Sequence, residues 1–85
     1  MEIFRMLIGE LSQTTGLSRD TIRFYEKVGL LTPVQRNAEN GYKEYDEHTV
    51  ERLNLITQAK TLGFTLSEIQ QGVDAWQRGQ ISQDE

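Results

Sequence analysis

The 85-residue sequence predicts a small, mainly α-helical domain: two short helices joined by a tight turn, a two-stranded hairpin, and then a helical pair. Three observations predict it. Residues 8–28 read as two helices around Gly16, the second capped by Ser18. Residues 34–45, VQRNAENGYKEY, contain Asn40-Gly41, a strong short hairpin signal. From residue 46 onward, helical spacing returns behind two further start signals, at Asp46 and at Thr65-x-x-Glu68.

Composition bounds the answer. A chain of this size makes one domain near the lower limit of what buries a self-sufficient core. The hydrophobic fraction is 36% and the charged fraction 26%, ordinary for a soluble protein. No apolar run approaches the roughly 20 residues that cross a bilayer. The segment from Met1 to Met6 carries Glu2 and Arg5, unlike a signal peptide, so the expected location is the cytoplasm and no membrane partner is expected. With no cysteine and one histidine, a disulfide framework, a thiolate metal site and a cysteine nucleophile are excluded within these residues, and no cofactor or metal is expected.

The net charge of −4 and pI near 4.9 run against the basic balance of most nucleic-acid-binding domains. The distribution softens this. Residues 1–45 hold six basic and six acidic side chains, whereas residues 46–85 hold three basic against seven acidic. An anion-binding face therefore belongs mainly to the first half.

In chain order, residues 3–7, IFRML, predict a short strand that pairs with a later one. Helix 1 follows over about residues 8–14, with Ile8 and Leu11 on one face. Helix 2 starts after Ser18, with Leu17 and Ile22 at staple spacing, and Gly29 suits the left-handed position beyond its end. Pro33 ends the return through Leu30 and Leu31. The hairpin turn is expected to be of type I′ with positive φ at both central residues, centred on Asn40-Gly41 or one residue earlier. Helix 3 starts after Asp46, with an apolar stripe of Val50, Leu53, Ile56 and Ala59 widened by Leu55 and Leu62 and ended by Gly63. Helix 4 starts at the Thr65–Glu68 capping box, with Phe64 and Ile69 at staple spacing. It continues through Leu66, Val73 and Trp76 and closes at Gly79. Residues 1–78 are expected to form the domain and 79–85 a polar, fraying tail.

At 100° per residue, Arg19, Arg23 and Lys27 share a stripe about 80° wide on helix 2, opposite Thr21, Tyr25 and Val28. Alone, with Glu26 beside it, this is an ordinary solvated face. The capped helix and the basic hairpin that follows give it another meaning. Together they form a winged helix-turn-helix, in which helix 2 fits the major groove and the wing grips flanking phosphates. Arg36, Tyr42 and Lys43 are the wing residues able to donate. Their other reading is a packed tyrosine with two solvated cations.

Ile8-Gly9-Glu10-Leu11, Gly16-Leu17-Ser18, Thr21-Ile22-Arg23-Phe24-Tyr25-Glu26, Gly29-Leu30-Leu31, Gly41-Tyr42-Lys43-Glu44-Tyr45 and Leu62-Gly63-Phe64-Thr65-Leu66-Ser67-Glu68-Ile69 resemble, in order and in register over residues 6–76, the N-terminal DNA-binding domain of the MerR family. The resemblance implies a bacterial transcriptional regulator. Such a regulator binds pseudo-palindromic operators as a homodimer and distorts the promoter spacer so that RNA polymerase can engage both promoter elements. It implies Arg19 and Thr21 as base-edge contacts, and Ser18, Arg23 and Tyr25 as backbone contacts. Arg36, Asn37, Tyr42 and Lys43 would be the wing's phosphate grip, and Lys60 a further phosphate contact. The helical wheel sets Tyr25 nearer the packed side, so core and phosphate roles both stand for it.

Three departures from the family pattern matter. Lys43 stands where arginine is usual, keeping charge without the bidentate fork. Phe24 stands where tyrosine is common. The sequence reaches Glu85 about where the family's dimerisation helix and effector region would begin, so those regions are expected to be absent from these residues. An excisionase-like DNA-bending protein and a protein-docking module on the same fold are the alternatives. An enzyme built on Asp20 and Glu26, or on His48 with Glu47 and Glu51, is the weakest reading, because these groups lie on helical surfaces without a convergent pocket.

Overall fold

The computed structural model describes residues 5–77, with helices α1 (Ile8–Thr15), α2 (Arg19–Lys27), α3 (Glu47–Thr61) and α4 (Leu66–Gln77) and strands β1 (Gln35–Arg36) and β2 (Lys43–Glu44). The expected strand start at residues 3–4, the Gly79 stop, the tail at 79–85 and the side chains of Val73 and Trp76 lie outside the described residues. The chain divides into two compact units, Met1–Leu53 and Asn54–Glu85.

In the first unit, α1 ends where Gly16 takes φ 79°, its N–H donating to Ser12 O at 2.9 Å. The tight turn to α2 is then pinned by side chains. Ser12 Oγ donates to Leu17 O at 2.5 Å, and Thr15 Oγ1 donates to Leu11 O at 2.8 Å. Ser18 caps α2 as expected, its hydroxyl accepting from Thr21 N–H at 3.1 Å, a contact worth about 1 kcal/mol. Gly29 follows with φ 87°, and Arg52 Nε donates to Leu30 O, tying this return to the start of α3. Leu11, Ile22, Tyr25, Leu30, Leu31, Tyr45 and Leu53 form the buried core, joined by Met6.

The leading strand is reduced to one antiparallel bridge among the described residues. Met6 and Tyr45 exchange two backbone hydrogen bonds of 2.8 Å each. The wing pairs Gln35 with Glu44 and Arg36 with Lys43, but its turn is not the expected type I′. No described non-glycine residue has positive φ, and Gly41 alone in this turn does, at 75°. Four residues, 38–41, connect Asn37 to Tyr42. The reason is chemical: Asn37 Oδ1 accepts from the N–H groups of Glu39 (2.8 Å) and Asn40 (3.2 Å), and its carbonyl accepts from Gly41 N–H (2.8 Å). This side-chain turn competes successfully with the two-residue alternative.

Asp46 caps α3 through Oδ1, which accepts from His48 N–H at 3.0 Å. In the second unit Ile56 and Ile69 are buried. Leu62 does not widen the apolar stripe: it is 77% exposed, beyond the last helical residue, Thr61, in the turn where Gly63 has φ 96°. Phe64, assigned to a staple, is 51% exposed. The capping box forms as expected, with Thr65 N–H donating to Glu68 Oε1 (2.9 Å) and Glu68 N–H donating to Thr65 Oγ1 (3.1 Å).

Candidate nucleic-acid interface

Because α2 buries Ile22 and Tyr25, its opposite stripe must face outward, and Arg19, Arg23 and Lys27 are all exposed. They line one side of an open concavity of about 1000 Å³ whose other walls are the start of α1 and the wing, through Leu7, Gly9, Gln13, Tyr42 and Lys43. Four cations, Arg19, Arg23, Lys27 and Lys43, face it against two carboxylates, Glu10 and Glu26. An acidic chain thus presents a locally positive cleft, which is what attracts a polyanion.

Of the expected residues, Arg19, Arg23, Tyr42 and Lys43 line this concavity and Ser18, Thr21, Tyr25, Arg36, Asn37 and Lys60 do not; several of these residues have internal partners. Arg23 Nη1 lies 3.4 Å from Asp20 Oδ1 in an exposed pair that contributes little stability. Ser18 Oγ donates to Thr21 Oγ1 at 2.9 Å, which leaves the Thr21 hydroxyl its own proton to give. Tyr25 is buried at 6% exposure and packs its ring 6.0 Å from that of exposed Phe24. Its core role is the one the geometry supports. Arg36 is exposed and donates to Gly41 O at 2.8 Å. Tyr42 stands out at 60% exposure.

Asn37 is an organiser of the wing rather than a free donor. Besides its turn contacts, Nδ2 donates to Glu44 Oε2 at 2.9 Å, while Gln35 Nε2 donates to Glu44 Oε1 at 2.8 Å. These two bonds, Asn37 first, hold the Glu44 carboxyl below the usual carboxylate range. Lys60 is exposed in the last turn of α3, belongs to the second unit and is not one of the residues that line the concavity.

Sequence reasoning missed two participants. The first is Gly9, over which the Arg19 guanidinium lies. The second is Glu26, treated as a neighbour of the stripe. Its side chain is 10% exposed and accepts from Lys43 Nζ at 3.1 Å and from the Tyr45 hydroxyl at 3.0 Å. Burial, then the bond to Glu26, pushes the Tyr45 phenol well above its ordinary value, so it remains a donor. Glu26 stood inside a quoted motif, but its partners lie 17 and 19 residues further on, beyond any helical or strand period.

Comparison with known proteins agrees with this geometry. The MerR HTH family regulatory protein pattern matches residues 6–75. The mercuric resistance operon regulatory protein of Bacillus cereus is 47% identical over 62 residues, covering 73% of this chain and 46% of the relative. The lead(II)-complexed transcription regulator PbrR691 from Ralstonia metallidurans CH34 superposes with TM-score 0.80 at 35% identity, covering 91% of this chain and 59% of that one. HiNmlR, a MerR family regulator lacking the sensor domain and bound to promoter DNA, superposes with TM-score 0.79 at 28% identity, covering 89% of this chain and 57% of that one. The chain spans about half the length of the curated relatives it matches. With the family pattern covering residues 6–75 and a relative 47% identical over 73% of the chain, the chain belongs to the MerR family of helix-turn-helix regulatory proteins.

Proposed function

We propose that this domain binds duplex DNA sequence-specifically as the reading head of a MerR-type transcriptional regulator. The observation that carries the reading is the convergence of Arg19, Arg23 and Lys27 of α2 with Lys43 of the wing on one open cleft. A helix laid in the major groove brings Arg19 and Thr21, at its N-terminal end, to base edges. Ser18, Arg23, Arg36, Tyr42 and Lys43 then meet flanking phosphates. Asn37 supports the wing through Glu44, Tyr25 supports α2 from the core, and Lys60 is a phosphate contact of the second unit.

In the whole regulator, two such heads pair on a pseudo-palindromic operator in a promoter spacer, distort it, and present it to RNA polymerase in the cytoplasm. The promoter-DNA complex of the similar HiNmlR supports the DNA partner. No helix among the described residues is long and apolar enough to cross a membrane. The module is a binder rather than a catalyst: Asp20 is paired with Arg23, and Glu26 is committed to Lys43 and Tyr45.

Titrating the chain with duplex DNA across a salt series tests the reading. Binding should weaken with salt at about 0.9 logarithmic units per phosphate contact, for roughly four to six contacts on one half-site. A flat dependence, or no binding at low salt, would instead favour protein docking, for which exposed Leu62 and Phe64 offer apolar surface.

A further inference from the structure

Glu26 stands within the basic stripe of α2, yet its carboxylate is withdrawn from solvent and spans two wing residues, one on each oxygen. Lys43 and Tyr45 are two apart along an extended chain, so their side chains share a face and one carboxylate can reach both. The two ends differ in freedom. Tyr45 is buried and its backbone is bonded twice to Met6. Lys43 is 40% exposed along its side chain and lines the cleft, with two ammonium protons left over from its bond to Glu26. The clamp is therefore anchored in the core at one end and open to a ligand at the other.

Resting on the DNA-binding reading, we propose that Glu26 is a positioning residue that holds the Lys43 ammonium at the rim of the cleft and offsets part of its charge, so that phosphate and Glu26 compete for the wing cation. The wing then grips any duplex less strongly than an unpaired lysine would, and its cation stays at a fixed distance from the reading helix. Glu26 touches no DNA in this scheme; it acts through Lys43.

The test is a salt titration of the full chain with a short mixed-sequence duplex, comparing the parent, Glu26→Gln, Lys43→Gln and the double variant. Glutamine keeps an acceptor for the Tyr45 hydroxyl while removing the charge facing Lys43. Glu26→Gln should bind about two- to fivefold tighter at low salt, with a dependence on log salt steeper by up to about 0.9. Both differences should vanish in the Lys43→Gln background. Equal slopes, looser binding, or tightening that persists without Lys43 overturns the proposal, the last because it reports only added positive charge. If Glu26→Gln proves too unstable to titrate, Glu26→Asp, whose shorter side chain cannot span both donors, should shift binding in the same directions. A parent chain that shows no salt-dependent binding removes the DNA reading itself, whereas a parent that binds beside an unaltered Glu26 variant removes this proposal alone.

Discussion

The Arg19 guanidinium lies so close over Gly9 that a β-carbon at position 9 would meet Nη2 at 2.9 Å. The obstructing atom is the far end of a flexible side chain, so the collision is relieved by moving Arg19 and not the backbone. Gly9→Ala should therefore leave thermal stability unchanged or raise it by up to about 1 kcal/mol, since alanine is the better helix former. It should shift base preference as the redirected guanidinium loses its position. Selection from a randomised duplex pool checks this, and an identical shift with Arg19 already removed would contradict the link.

Arg19→Ala should change which sequences are preferred, while Lys43→Ala should weaken all sequences alike and lower the salt slope by less than about 1. Competition binding against operator-like and scrambled duplexes separates the two. A uniform loss in both variants would show the division into reading and gripping to be wrong.

Tyr45 predicts an alkaline limit. Its phenol is raised from an ordinary 10.0 by burial, then by the hydrogen bond and charge of Glu26. Above that ordinary value the folded chain holds a proton the unfolded chain has lost. Its contribution to stability is thus complete below about pH 10 and is lost as pH rises toward the folded value, with a slope of up to about 1.4 kcal/mol per pH unit. Urea denaturation across this range should show that slope in the parent and a flatter one in Tyr45→Phe.

The wing depends on Asn37 and Gly41. Gly41→Ala should cost about 1–2 kcal/mol, because φ of 75° strains any β-carbon. Asn37→Ala should cost about 1 kcal/mol through the lost turn bonds. Asn37→Asp should do worse in neutral solution than in acid, since it sets a carboxylate against Glu44. In the parent, the Glu44 contribution is present above its ordinary value of 4.5 and fades as pH falls through the lowered one. Urea denaturation at acid and neutral pH measures all three variants.

What could be read in advance was local. The caps at Ser18, Asp46 and Thr65, the helix-ending glycines at 16 and 63, the left-handed Gly29 and the outward stripe of α2 each follow from a few adjacent residues, and the structure places them as expected. The wing turn was misread because Asn40-Gly41 is a strong dipeptide signal, while the deciding chemistry sat three residues earlier in the Asn37 side chain. Leu62 was misread because a helical stripe carries no mark of where the helix stops turning. At the candidate site, the three cations of α2 were legible from their spacing. The Glu26 clamp was not, because a contact between a helix and a strand 17 residues later leaves no periodic trace.

The wing loop has one more consequence. Asn37, Asn40, Gly41 and Glu44 together close the loop through bonds that use the side chains of Asn37 and Asn40 and the backbone of the tip, while Ala38 and Glu39 are exposed. Glu39 enters the closure through its N–H alone, so its side chain is free to change without disturbing the frame. The outermost surface of the wing is in that sense an interchangeable cartridge on a fixed mount, and a new side chain at position 38 or 39 offers a way to retune affinity for flanking DNA without touching α2.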